Sequence, residues 1–294
     1  MGVMQTYPDI ADEFFLYVRE RSATGSKKPS SYVQAIHILN AVLNDKCPGI
    51  LSSWHNLWLL TDAARLECIR EYVLAECKKQ DGGIFCGFKP ESYWKNNYCS
   101  AALALLIPFQ QMMLRKMDML SILERAHDAA GLASELETFQ LYDKTDRMEE
   151  VPFLNLDEID GVSRMVIRQA RENQQKFRTL VLWNYRYACC ISGLPVRQSL
   201  QASHISDWSS DVKMRLNPTN GLCLAAHYHL AFDNHLIALD DDCRLVISKS
   251  LKEYTGNEAF REQFLKYEGR QIRMPRRFNP SGILLARHRE QLAE

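Results

Sequence analysis

The sequence predicts an α+β protein in which a mainly helical amino-terminal domain precedes a carboxy-terminal domain of short strands and a helix, flanked by further helices. Two observations predict it. Apolar residues recur at three- and four-residue spacing through Ser31–Leu43 and again after Thr61-Asp62, which is the period of a helix with one buried face. Later in the chain the pattern changes to brief extended pieces, Ala202–Ile205 and Gly221–Leu224, separated by a polar loop and followed by a helix from about Ala226.

Taken in order, the first helix covers Ser31–Leu43. Thr61-Asp62 caps a second, with Leu66, Ile69, Val73 and Leu74 on one face. A third runs from Ser100 to Met119, with Pro108 as a kink or a boundary. Between the last two lie a glycine-bearing turn, DGGIFCGFKP, and the aromatic run SYWKNNY. Tyr93, Trp94, Lys95 and Tyr98 have the composition of a nucleic-acid stacking surface, but rings at such spacing more often belong to a core. Seven carboxylates between Asp143 and Asp160 mark an acidic linker. The expected domains are therefore 1–142, helical with a recognition or regulatory role, a linker over 143–162, and a second domain over 163–294. Arg164 to Trp183 alternates basic and apolar residues at helical spacing, so Arg164, Arg168, Arg171, Lys176 and Arg178 are expected to form a basic face. Cys189–Ile191 reads as a short strand ended by Gly193-Leu194-Pro195. Leu236–Leu239 and Arg244–Ser248 read as a hairpin around Asp240-Asp241-Asp242, and a last helix starts at Ser281.

Charge and composition narrow the function classes. The net charge is zero, but residues 1–162 hold 16 Lys+Arg against 23 Asp+Glu and residues 163–294 hold 20 against 13, so the parts carry −7 and +7. A basic second half suits a polyanionic partner, because Lys and Arg near phosphates release counterions. The apolar run Ala101–Phe109 is far shorter than the roughly 20 residues that cross a bilayer, which argues against a membrane protein. The amino terminus lacks the basic and apolar regions of a secretion signal, and its MGVMQT fits the loose myristoylation pattern only as a short chance match would. Nine cysteines without a disulfide framework fit a reducing cytoplasm.

The stretch NGLCLAAHYHLAFD, residues 220–233, carries the chemistry. On a helix, positions four apart share a face, so His229 and Asp233 point the same way and form a divalent-metal pair, while Phe232 faces the core. Taken alone, the two read better as solvated residues of a capped core helix. His204 lies sixteen positions before Asn220, Asn220 nine before His229, and His229 four before Asp233.

This order and spacing resemble the HNH endonuclease family. The runs NQQKFR, Cys190-Ile191-Ser192-Gly193, ASHI, RLNPTNGL and H-x-x-x-D, with Trp208, extend the resemblance over residues 164–248 to its restriction-endonuclease-type subfamily, and QIRMPRRFNP is similar to that subfamily's tail. The resemblance implies a ββα-metal fold with a general-base histidine on the hairpin, an asparagine in the second strand and metal ligands on the helix. The residue types suit that chemistry. Neutral His204, with an ordinary pKa of about 6.5, takes a proton from water at physiological pH. A divalent ion on His229 and Asp233 neutralises the phosphoryl oxygens and the leaving oxygen, while Asn220 bridges the loop and orients the base or lends its oxygen to the metal.

Many family members have Asp or His directly before the base, and Ser203 stands there in this chain. Hydroxyl is a poor ligand, which favours Mg²⁺ or Mn²⁺ in excess over bound Zn²⁺. Cys189, Cys190, Cys223 and Cys243 lack zinc-ribbon spacing, and Cys190 and Cys223 read as small buried hydrophobes. Arg215, Arg276 and Arg277 are the candidate phosphate contacts. Two function classes follow: a metal-dependent DNA endonuclease of restriction or phage-defence type, homodimeric if it cuts both strands, and a nucleic-acid-binding or ligand-sensing protein with a latent or inactive HNH unit.

Overall fold

A computed structural model describes residues 10–23, 25–51, 56–141, 161–206 and 214–293, with side chains from residue 169 onward in the fourth stretch. The MGVMQT start, the linker up to Asp160, the side chains of Arg164 and Arg168, and Trp208 lie outside the described residues. The protein is α+β, and its chain divides into two compact units. The first contains the described residues up to Met117 together with residues 161–164. The second contains Asp118–Leu141 and the described residues from Met165 on.

The first unit is helical: α1 (Ile10–Glu20), α2 (Lys28–Lys46), α3 (Pro48–Leu51), α4 (Ala63–Cys77), α5 (Ser92–Lys95) and most of α6 (Tyr98–Arg125). Asp62 caps α4 by accepting a hydrogen bond from the Arg65 amide, and Leu66, Ile69 and Val73 are buried beneath it. Pro108 sits inside α6 without ending it. Phe14, Trp58 and Phe109 meet edge to face at the core, their centroids 5.2 to 5.5 Å from Phe14, a geometry that aligns ring edges with ring faces. The SYWKNNY run supplies core: Trp94 is 7% exposed and lies stacked on Phe85, while Lys95 pairs with Glu91. Among the described residues no helix is long and apolar enough to cross a membrane.

The second unit is built around one long helix and one hairpin. The end of α6 is followed by α7 (Ala129–Thr138) and α8 (Gly161–Asn184), so residues 161–162, expected in the linker, already belong to α8. Strands β1 (Leu200–His204) and β2 (Gly221–Ala225) pair antiparallel, His204 opposite Gly221 and Ser203 opposite Leu222. Helix α9 (Ala226–Asp233) follows β2 directly. A second pair, β3 (Ile237–Leu239) and β4 (Leu245–Ile247), turns at Asp240–Asp242, where Asp240 accepts from the Asp242 and Arg244 amides. Then come α10 (Lys249–Lys252), α11 (Glu258–Gln263) and α12 (Gly282–Arg289). Cys189–Ile191 is a turn and not a strand. It touches β2 by a single bond, from the Cys190 amide to the Cys223 carbonyl, because the chain folds back at once through the Gly193 amide to Cys189.

Two features of α8 correct the expected basic face. Lys176 is fully buried, its ammonium donating to the Leu136 carbonyl and facing Glu172. Arg178 donates to the carbonyls of Leu200 and Arg197 and so fastens β1 to α8. An apolar environment makes such partners obligatory for a cation. Strand β2 starts so close to α8 that a Cβ at position 221 would lie 2.4 Å from Val181 Cγ2 and 2.9 Å from Phe177 Cζ, so any larger residue there must displace these side chains. Gly221→Ala is expected to lose about 1–3 kcal/mol by overpacking, measured as a lower urea midpoint. An unchanged midpoint would mean that α8 yields freely.

Candidate active site

The site is assembled where β1 ends and α9 begins to present its outer face. Successive residues of a strand face opposite sides, so Ser203 and His204 are turned to different neighbours. Ser203 is fully buried and faces α9. Its Oγ lies 2.9 Å from His229 Nδ1 and donates to Asp233 Oδ1 at 3.2 Å. His229 Nδ1 and Asp233 Oδ1 are 3.4 Å apart, one helical turn from each other. Imidazole nitrogen, carboxylate oxygen and hydroxyl oxygen thus converge. The side chains of His229 and Asp233 remain 33% and 48% exposed, which leaves solvent and a ligand access to both. Tyr228 and Phe232, between and beside them, are buried and fix the rotation of the helix. Among the described residues no group of three or more His, Cys, Asp or Glu converges; the third member of this cluster is Ser203.

His204 faces α8. Its ring is stacked on Phe177 with centroids 3.6 Å apart and planes 10° apart, and its Nε2 lies 3.3 Å from the Arg215 carbonyl. A carbonyl can only accept, so Nε2 carries the hydrogen of the neutral ring and Nδ1 is the basic nitrogen of that tautomer. The chain holds the ring from two sides, through an aromatic face and a backbone oxygen.

Asn220 is buried, and its carboxamide ties the loop together. Its oxygen accepts from the Ser206 amide at 2.8 Å, and its nitrogen donates to the carbonyls of Ser206 and Met214. The loop carbonyl at Arg215 that holds His204 is therefore one residue from an Asn220 contact. Of the two roles expected of Asn220, this geometry matches the bridge; its oxygen is engaged by backbone.

The candidate phosphate contacts separate. At Arg215 it is the carbonyl that meets His204. Arg276 is exposed, its guanidinium 4.4 Å from the centroid of Trp183. Arg277 donates to the carbonyls of Leu123, Glu124 and Ala126 and so caps the carboxy-terminal end of α6. Its guanidinium is thus bound to the end of that helix, on an exposed residue. Asn184, fully buried, positions this segment by accepting from the Arg277 and Phe278 amides and donating to the Phe278 carbonyl. His227 is exposed on one side and packs near Phe264 on the other, and burial pushes its pKa below the ordinary value. Cys190 and Cys223 are buried thiols held protonated: burial first, then the neighbouring Cys189, pushes Cys223 up to about 12 and Cys190 well above its ordinary value.

Sequence reasoning missed Phe177 and underrated Ser203. Phe177 sits in the quoted NQQKFR run, but helical periodicity marks it only as apolar. Its place over His204 depends on the crossing of α8 and β1.

Strand β1, β2, α9 and β3 fall within one stretch that can be compared with known families. Residues 189–240 match the HNH endonuclease family. The HNH match thus contains His204, Asn220, His229 and Asp233, and it leaves α8 and the amino-terminal unit outside. No curated protein matches the chain.

Proposed function

We propose that this protein is a metal-dependent DNA endonuclease of restriction or phage-defence type, in which His204 is the general base and His229 with Asp233 hold the divalent ion. One observation carries the reading. Consecutive residues of β1 join the two parts of the site, Ser203 by hydrogen bonds to His229 and Asp233, His204 by a ring fixed on Phe177 and the Arg215 carbonyl. The two residues are neighbours at the end of β1 with side chains turned to different elements, and base and cation pair are assigned to one phosphodiester held across that strand end.

The donor set fits a hard divalent ion: one carboxylate, one imidazole and a hydroxyl, with solvent access for waters. A single carboxylate supports modest affinity, so Mg²⁺ or Mn²⁺ is favoured. When bound, such an ion supplies Lewis-acid stabilisation of the phosphoryl and leaving oxygens. His204 removes a proton from the attacking water, and the Arg215 carbonyl at Nε2 leaves Nδ1 as the accepting nitrogen. Asn220 holds the loop that carries this carbonyl. Arg276 remains a candidate phosphate contact, as does Arg215. Nine free cysteines suit a reducing cytoplasm, and a duplex break by one site per chain calls for a dimer. The likeness of residues 164–248 to restriction-type members supports the defence role.

The test is cleavage of supercoiled plasmid. Wild type with Mg²⁺ or Mn²⁺ is expected to cut, and EDTA to stop it. Asp233→Asn should raise the Mn²⁺ concentration for half-maximal cutting by about 10–100-fold, the scale on which metal-site residues act. Equal ion dependence in the two proteins would remove Asp233 from the metal site.

A further inference from the structure

Beside His204, on the α8 side of the hairpin, lies an open cleft of about 290 Å³ lined by Gln174, Gln175, Phe177, Arg178, Gln201, Ala202 and His204. We infer that this cleft seats the nucleotide next to the scissile phosphate and reads its base, with Gln174 and Gln201 as the specificity-determining residues. The inference rests on the nuclease reading, since it is the base histidine at the cleft wall that ties its occupant to the cut.

Size, charge and polarity each bear on the occupant. The volume is at the small end of ligand pockets, which run from roughly 300 to 1,000 Å³, and suits one nucleotide unit. Among the described residues lining the cleft none is acidic, so a nucleic acid meets no repulsion there. The guanidinium of Arg178 is turned to the carbonyls of Leu200 and Arg197, so the cleft is not organised around a phosphate. What it offers is carboxamide, from two neighbouring elements: Gln174 and Gln175 from α8, Gln201 from β1. A carboxamide presents a donor and an acceptor together, the pairing that reads a base edge such as adenine N6 and N7. Phosphate contacts position a nucleic acid without carrying sequence information, whereas base contacts specify. A cleft of amides beside the catalytic residue therefore belongs to the second kind.

Replacing a carboxamide by a carboxylate keeps the shape and removes the donor, which makes the inference testable without relying on lost activity. A duplex pool with randomised sequence is cut by wild type, Gln174→Glu, Gln201→Glu and Gln174→Ala/Gln201→Ala, and the new ends are sequenced. Wild type is expected to show a base preference at the position adjoining the cut, about tenfold for a contact of this kind. The double alanine variant should flatten it, and the glutamate variants should move it toward cytosine, whose N4 only donates. A wild type without a preference there, or variants that keep the wild-type preference, would overturn the inference and leave the nuclease reading standing. A pool left intact by wild type with both Mg²⁺ and Mn²⁺ would overturn the nuclease reading and this inference with it.

Discussion

His204→Ala is expected to slow plasmid cleavage by about 10²–10⁴-fold, the range in which a positioned general base contributes. The expectation follows from geometry as well as residue type. Stacking on Phe177 at 3.6 Å and contact with the Arg215 carbonyl at 3.3 Å leave the imidazole little freedom, and a base fixed in one orientation gives up little entropy when it takes the proton. Alanine removes the base and leaves the hydrogen bonds of Ser203 to α9 in place, so folding and ion binding should persist. The measurement is the initial rate of supercoiled-plasmid loss at saturating Mn²⁺, with circular dichroism to verify the fold. A rate within threefold of wild type would assign the proton transfer elsewhere.

The second large effect concerns stability. Lys176 is fully buried, and burial pushes its pKa down, while Glu172 beside it pulls the other way. The pair joins three pieces of backbone, because Lys176 donates to the Leu136 carbonyl at 3.0 Å and Glu172 accepts from the Leu141 amide at 2.6 Å. Lys176→Met leaves a buried carboxylate without its cation, which costs about 3–5 kcal/mol. Lys176→Met with Glu172→Gln should recover much of that loss, since removing both charges is often near neutral. Urea unfolding of the three proteins decides the matter. If the double variant is as unstable as the single one, the cost comes from packing and not from the orphaned charge.

How much of this was legible in the sequence depends on whether a feature is local. The helix over Ser31–Leu43, the Asp62 cap, the β2-to-α9 passage and the shared face of His229 and Asp233 all follow from spacing along one element, and spacing is visible in a sequence. Features that need two elements were not legible. Lys176 has the period of a basic surface, yet it is buried because α7 and Glu172 supply a carbonyl and a carboxylate to receive it. Arg277 belongs by composition to a cationic cluster, but the end of α6 takes its guanidinium. Asn220 could have faced a metal or a loop, and only the path of residues 206 and 214 distinguishes them. Cys189–Ile191 has strand residues but no room to extend, because the chain turns at Gly193. Ser203 illustrates the converse: as a residue type it argues against metal binding, and only the packing of β1 against α9 brings its hydroxyl to His229 and Asp233.

The claim on which the function turns is that the His204 imidazole itself accepts the water proton. It is tested most directly by chemical rescue: cleavage by His204→Gly, at fixed pH and saturating Mn²⁺, measured with and without added imidazole. The account predicts a nearly inactive variant whose rate rises with imidazole concentration, the free base occupying the place vacated beside Phe177. A variant that cuts at the wild-type rate without imidazole would contradict it.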